Sequence, residues 1–553
     1  MRRTIDFTKQ HEFQVDVFGH EHAKLGSGVL TFGPERWIQV GFDLLEFSGI
    51  SEGAEFFKLT AVSQSGTSFT LFQCKRIGFG ITANYVVTGD VGENFKSIEI
   101  RYSDVSEWYL GRQWIEGDIA DSVRLGNPVK HFTATIKTEQ ENFTLTSRSE
   151  RSVSRTGEDH IFHEHVLFCL DSHDANFSIV NIQTKAMDLL RLLSILMAHP
   201  VSIASIEAVC DKGNSCTVFF PTYSPVERKA SRNSRFLYEC FIQQQDIHDR
   251  WESIVNGYFN SNYREISWTR LAGMQRYEGF WEYRALGYVS LLDKYVTQRH
   301  EETNPPSGCL SKEVKNKLKE AICLHSPQLE KELGGALLND LVNAFEIKSF
   351  AKKYQHAIDE SNQDMMKIIN ISEEDFRQIK KVRDKIAHGD AIDLSEVSFE
   401  RTQIIVNKII LLMTYWAFMD FGLENKDFLR CLDTTYHDLL HRAKPDTVHI
   451  ARMLRPDVFF ALSNIDFEKL SNNKRLRINA CFVQRNSGEI EFSEEYAGKY
   501  QAWQRAPDRT NGQIDHSDIF GVTNERIKYL KSMYVSCGEN CLELSAAWII
   551  QVS

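Results

Sequence analysis

The feature that most constrains this chain is a change of hydrophobic period part-way along it. Up to about residue 225, short apolar runs recur, among them G-V-L-T-F (28–32), W-I-Q-V-G-F (37–42), F-F-K-L-T-A-V (56–62) and S-F-T-L-F (68–72). They alternate or are aromatic and β-branched, and Gly, Asn, Ser and Asp punctuate them roughly every ten residues, the pattern of an antiparallel sandwich or barrel. From about 234 the period becomes helical, through F-L-Y-E-C-F-I-Q-Q-Q-D-I-H-D-R-W-E-S-I-V and then F-W-E-Y-R-A-L-G-Y-V-S-L-L-D-K-Y-V (280–296). After about 425 the pattern is mixed. The expected fold is therefore α+β multidomain: a β-rich N-terminal sandwich or barrel domain (1–225), an all-α helical bundle (226–424) and a small mixed α/β C-terminal region (425–553).

Within this frame, the polar stretch 142–160 reads as a long hairpin tip or mobile loop, and 183–198 as a helix on the sheet, with strands at 201–209 and 215–220. E-T-N-P-P-S-G-C (302–309) is a linker by composition. Helices are expected at 311–323, 337–347, 349–368 and 398–420. Past 425, R-L-R-I-N-A-C-F-V (475–483) and E-I-E-F (489–492) read as a hairpin, T-N-E-R-I-K-Y-L-K-S-M-Y (523–534) as a helix, and 542–550 as a closing strand.

Composition narrows the class. Hydrophobic content of 42% and charged content of 25% are those of a globular protein. The apolar run 186–198 carries Asp188 and Arg191, so a core helix is expected rather than a membrane span. M-R-R-T-I-D-F leads into no apolar stretch, which makes a cytoplasmic location the default. Eleven scattered cysteines read as free thiols of a reducing compartment. A net charge of −11 argues against general coating of nucleic acid, while leaving room for a local basic site.

The candidate site is K-V-R-D-K-I-A-H-G, residues 381–389. Its helix is expected to begin at Ser372, where S-E-E-D supplies an N-cap and an acidic first turn. Phe376, Ile379, Val382 and Ile386 form the apolar stripe. On a continuous helix Arg383 and His388 point about 140° apart. A left-handed cap at Gly389 is expected to let His388 leave the helix and swing back toward the arginine. Arg383 offers a fixed bidentate cation to phosphoryl oxygens. His388, with an unperturbed pKa of about 6.5, can act as base or acid near neutrality. Asp384 can orient either. Arg377, Lys380, Lys381 and Lys385 make the surroundings basic and are candidate RNA contacts. RNA cleavage needing no metal uses the 2′-OH as internal nucleophile and leaves a 2′,3′-cyclic phosphate and a 5′-OH. One chain supplies one imidazole of this motif, so a two-imidazole mechanism requires two chains.

The R-x4-H element R-D-K-I-A-H (383–388) in an all-α domain resembles the HEPN superfamily. The opening F-Q-V-D-V-F-G-H…G-V-L-T-F-G and the order of domains look like the ApeA-type abortive-infection proteins. The resemblance implies a metal-independent endoribonuclease without cofactor, acting as a homodimer or higher oligomer through the HEPN domain. It also implies RNA, in particular tRNA near the anticodon, as substrate, and a β-rich domain that responds to a phage-derived trigger. Two other readings stay open: a non-catalytic HEPN module that binds RNA or a nucleotide, and a structural partner in a toxin–antitoxin pair using the face of 398–420.

Other residues have plainer readings. His437 and His441 (Y-H-D-L-L-H-R) are spaced like zinc ligands on a helix, but a third ligand is missing, and Cys537 and Cys541 are only a pair. No metal is expected. His163 and His165 share one face of a strand. Glu282 and Arg284 read as a helix-surface ion pair or as supports of the motif. Phe56, Phe57, Phe69, Phe72, Trp108 and Tyr109 read as core.

Overall fold

The computed structural model describes residues 5–19, 23–42, 51–118, 122–139, 141–173, 176–228, 235–303, 349–390, 398–485, 488–505, 515–538 and 540–552, with helical positions 317, 320, 321 and 324. The chain is α+β, in two compact units, Met1–Pro445 and Asp446–Ser553. The expected linker at 302–309 and helices at 311–323 and 337–347 lie, apart from a few positions, outside the described residues.

Six strands open the first unit: β1 (His11–Phe18), β2 (Lys24–Gly33), β3 (Arg36–Phe42), β4 (Glu55–Ser63), β5 (Ser68–Ile77) and β6 (Gly80–Ala83). They pair in the order β5-β4-β1-β2-β3-β6, and β6 returns to β5, which closes a barrel. Alternation drives this, because Val15, Val17, Leu30, Phe32, Ile38, Val40, Leu59 and Ala61 all point inward and are buried. Gly28 is required where the wall is tightest: a Cβ there would lie 2.1 Å from the Gly41 carbonyl oxygen.

Tyr85–Thr88 joins the barrel to a second antiparallel sheet built from Asn94–Tyr102, Thr133–Lys137, Asn142–Thr156, Asp159–Ser172, Ile203–Cys210 and Ser215–Phe219. The polar stretch at 142–160 is the hairpin of the two readings offered, with strands paired in register from Phe143↔Ser172 to Thr156↔Asp159. The helix Ile179–Met197 lies on the sheet; the Tyr102 hydroxyl donates to the Ala186 carbonyl at 2.8 Å. Phe69, Phe72, Trp108 and Tyr109 are core, whereas Phe57 is exposed.

The helical part corrects one expectation. The segment from 236 is not one long helix: Phe236–Glu239 and the short turn Gln244–Asp246 precede Trp251–Asn260. Cys240 is extended (φ −77, ψ 144), and the Phe241 amide donates to the Met197 carbonyl instead of continuing the helix. Residues 349–368 likewise divide into Phe350–Asp359 and Gln363–Ile369, because Asn362 caps the second helix. Trp281–Thr303, Glu373–His388 and Phe399–Asp420 carry the bundle. Among the described residues Phe399–Asp420 alone is long and apolar enough to cross a membrane, and 83% of its apolar window is buried inside the protein.

The second unit holds a five-stranded mixed sheet in the order Phe459–Ala461, Ile527–Cys537, Asn540–Gln551, Ile478–Gln484, Ile490–Phe492. The hairpin of 475–492 and the strand at 542–550 are present. The helix expected at 523–534 is instead the strand Ile527–Cys537, paired along its length with Asn540–Gln551. Its Leu530, Met533 and Val535 enter a core with Phe482 and Trp548, which overrides local helical preference.

Candidate active site

The motif helix runs from Glu373 to His388, and local chemistry fixes both its ends. At the start, the Ser372 hydroxyl accepts the Asp375 amide (3.1 Å) while the Asp375 carboxylate accepts the Ser372 amide (3.3 Å). At the end, Gly389 is left-handed (φ 77, ψ 16); its amide donates to the Ile386 carbonyl, and the Asp390 amide donates to that of Lys385. Phe376, Ile379 and Val382 are buried and Ile386 is half-buried, so the stripe read from spacing is the packed face. The ring of Phe376 stacks on Tyr354 at 4.1 Å.

This cap corrects the expected path of the histidine. His388 does not leave the helix: it is the last helical residue, and the left-handed turn falls one position later. Helix geometry then sets Arg383 and His388 about 140° apart and about 7.5 Å apart along the axis. Within one chain the two side chains occupy different faces.

The other site residues divide the same way. Arg377, Lys381, Asp384 and His388, at steps of 4, 3 and 4, form a single stripe opposite the buried one. Arg377, Lys381 and His388 are exposed and Asp384 is half-buried. Among the described residues His388 has no hydrogen-bonding or ionic partner. Lys380 lies on the flank between this stripe and the core, Lys385 lies on the opposite flank, and Arg383 lies at the edge of the packed face, between the directions of Phe376 and Ile379. The Arg377 guanidinium donates to the Glu373 carbonyl one turn back (3.4 Å).

Arg383 is held on both sides. Its Nη1 donates to Asp384 Oδ1 and its Nη2 to Asp293 Oδ2, each at 2.9 Å. Asp293 comes from the helix Trp281–Thr303 and was not singled out from the sequence. A signal existed in S-L-L-D-K-Y-V: Asp293 is the acid directly beside the buried pair Leu291 and Leu292. Two carboxylates on one guanidinium fix its plane and leave Nε outside both bonds. The arrangement presents a fixed cation on one flank of a helix end and an uncommitted imidazole on the exposed face.

The remaining candidates are occupied in other ways. Arg284 does not support the motif: its Nη2 donates to Asn407 Oδ1 on the helix Phe399–Asp420 at 3.2 Å. His437 is not on a helix face with His441 but caps the helix Asp438–Ala443. Its Nδ1 accepts the Leu439 amide at 3.0 Å and its Nε2 bonds the Ala198 carbonyl at 3.0 Å, so both ring nitrogens are used by the fold. Burial holds its pKa down to about 4. His163 and His165 share a strand face, with ring centroids 6.3 Å apart. Cys537 and Cys541 lie on opposite strands of the last hairpin.

Comparison with known families decides the affiliation. A family model for ApeA N-terminal domain 1 matches residues 20–258, and one for the Apea-like HEPN domain matches residues 286–427. The chain is an ApeA-type HEPN protein. Both Asp293 and the R-D-K-I-A-H motif fall inside the HEPN match, while Arg284 lies just before it. The affiliation makes this a HEPN-type anti-phage defence protein, with a domain class whose members are generally ribonucleases and typically act as RNA-binding dimers. No curated protein and no solved structure matched the chain.

Proposed function

We propose that this ApeA-type protein is a metal-independent endoribonuclease whose catalytic residues are Arg383 and His388, with Asp384 orienting the arginine. The observation that carries the reading is the helix end itself: a guanidinium clamped by two carboxylates, and five residues on an exposed imidazole with no partner among the described residues. His388 takes the proton of the ribose 2′-OH or returns one to the leaving 5′ oxygen. Arg383 stabilises charge that builds on the phosphoryl oxygens. The face geometry supports a site shared between two chains, in which one chain's imidazole meets its counterpart across a dimer and the clamped arginines flank the strand. Arg377 and Lys381 share the His388 stripe and Lys380 flanks it, so these cations track the RNA backbone, with Lys385 on the far flank.

The substrate we favour is tRNA in its anticodon loop, cut in the cytoplasm when the β-rich domain meets a phage-derived trigger. Purified full-length protein incubated with total tRNA in EDTA tests the reading. Products ending in a 2′,3′-cyclic phosphate, lost in His388→Ala, are expected. RNA binding without products would replace the nuclease by a binding module.

A further inference from the structure

The hairpin formed by Asn142–Thr156 and Asp159–Ser172 runs past the sheet it belongs to. Its first strand pairs with Thr133–Lys137 only up to Thr146, and its second pairs with Asn94–Tyr102 only from Phe168 onward. Beyond those points the two strands pair with each other alone. The Val166 amide points to the outer edge of the second strand, where it donates to the Ser106 hydroxyl at 3.0 Å. Backbone groups alternate in direction along a strand, so those of His160, Phe162 and Glu164 face the same edge. Among the described residues none of the three has a backbone partner there. An open edge is a template for another strand, and proteins commonly guard it with a lysine, a proline or a bulge. D-H-I-F-H-E-H-V (159–166) holds neither lysine nor proline, and its register against the first strand is unbroken.

A cleft of about 770 Å³ opens beside this edge, between the long hairpin, the helix Val105–Leu110 and the small hairpin of Trp114–Asp118 and Ser122–Gly126. Its wall is apolar, built from Leu110, Trp114, Ile115, Leu125, Val153 and Phe162. Trp114, Ile115, Val153 and Phe162 are each more than half exposed, at 52%, 55%, 58% and 57%. Large apolar side chains gathered at an open cleft mark an interaction surface rather than a core. The charges on the rim are already answered. Arg151 pairs with Glu164 at 2.8 Å, Arg124 with Glu116 at 3.3 Å, and Glu107 with Arg228 at 2.6 Å. Gln113 also donates to Glu164 at 2.5 Å, and His163 Nε2 is engaged by the Ser154 hydroxyl at 2.7 Å. A charge carried into the cleft would lose water and meet no free counter-charge among the described residues. Charge complementarity therefore selects an uncharged segment.

We propose that this edge and cleft receive an extended segment of a partner protein, added as a strand beside His160–Glu164, with uncharged apolar side chains at alternate positions filling the cleft. A strand supplies what the edge lacks, a row of N–H and C=O groups at matching spacing. Every second side chain of that strand points to the cleft, and those between point to solvent. The inference rests on the reading that the β-rich domain meets a phage-derived trigger. It names that trigger's chemistry: a protein that presents an apolar strand, rather than a nucleic acid or a free metabolite. All the residues of the cleft lie inside the N-terminal family match, and none belongs to the Arg383–His388 helix.

Fluorescence anisotropy of the full-length protein tests this with end-blocked heptapeptides in which threonine alternates with valine, leucine, isoleucine or phenylalanine. At least one should bind with a dissociation constant of about 1–100 µM. The same peptide with aspartate or lysine at its central apolar position should bind at least about tenfold more weakly. Phe162→Ser, at an exposed position that does not threaten folding, should weaken binding by about tenfold, and Ile115→Ser by about threefold. Methylating every second amide of the peptide should abolish binding in one frame and spare it in the other, because only alternate N–H groups face the edge. His388→Ala should bind as the unaltered chain does, so failure here and failure of the nuclease reading are told apart. Absence of binding by every peptide at about 1 mM overturns the proposal. So does binding that Phe162→Ser leaves within about twofold, or an equal effect of methylation in both frames. A self-associated protein that Phe162→Ser turns into a monomer in sedimentation would give the edge to a second copy instead, and overturns it too.

Discussion

Replacing Asp293 by Asn tests whether the clamp on Arg383 matters to chemistry. The change keeps the shape and a carbonyl acceptor at the 2.9 Å contact with Nη2, and removes only the charge. Both side chains are about one-quarter exposed, 29% and 26%, so water screens the pair. A screened pair of this kind contributes up to about 1 kcal/mol, and the neutral bond that remains retains part of it. Asp384 still holds Nη1, so the guanidinium keeps one carboxylate, though that partner is 41% exposed and sits on the same helix. The expected stability loss is therefore about 0.5–1 kcal/mol, shrinking in about 1 M salt, where the Debye length is about 3 Å. The effect on cleavage should be larger than this implies, because a guanidinium held less firmly on its Nη2 side loses alignment only needed in the transition state. A positioning loss of about 1.4 kcal/mol lowers kcat roughly tenfold with KM little changed. The assay is single-turnover tRNA cleavage in EDTA beside a urea melt, repeated in the Arg383→Ala background, where Asp293→Asn should add nothing. Cleavage within about twofold of the unaltered chain, or an equal loss in both backgrounds, would refute the positioning role.

Three further outcomes follow from the same geometry. Gly389→Ala forces a side chain into φ 77 and should cost about 1 kcal/mol, read in a urea melt, while fraying the turn that ends on His388. Ile379→Ala, at a fully buried position in the stripe, should cost about 2–5 kcal/mol by the same melt, far more than Lys380→Ala beside it. His437 is neutral in the fold with its pKa held down to about 4 by burial, against about 6.5 unfolded. The unfolded chain thus binds the extra proton first, so stability is full above pH of about 6.5 and is lost as pH falls toward 4. The full loss is up to about 3 kcal/mol, and His437→Gln should flatten that part of a pH–stability curve.

How much of this was legible follows from the range of the interactions involved. The motif helix was readable from its Ser372 cap to its Gly389 stop, but not the path of His388, which stays in the helix. The Ser372 cap, the Phe376–Ile379–Val382 stripe and the Gly389 stop act within a few residues of one another, and spacing alone encodes them. The barrel strands were readable for the same reason, since a period of two is a local property. The segment 523–534 was not. Ile527 and Leu530 stand three apart, as on a helix, but Gly538 turns the chain so that Asn540–Gln551 satisfies its backbone as a strand. The long helix expected from 236 fails similarly, because the Phe241 amide finds its acceptor at Met197, forty-four residues back.

Sequence by itself determined a β-rich part followed by a helical one, the helix that carries R-D-K-I-A-H, and its likeness to a nuclease family. Tertiary structure alone decided which groups the motif meets: Asp293, ninety residues earlier, on Arg383, a histidine kept in the helix and turned away from the arginine, and Arg284 carried away to Asn407. The physical reason is that propensity, capping and hydrophobic period are set by neighbours in the chain, whereas a charge's partner depends on how whole helices pack. No local pattern records that packing.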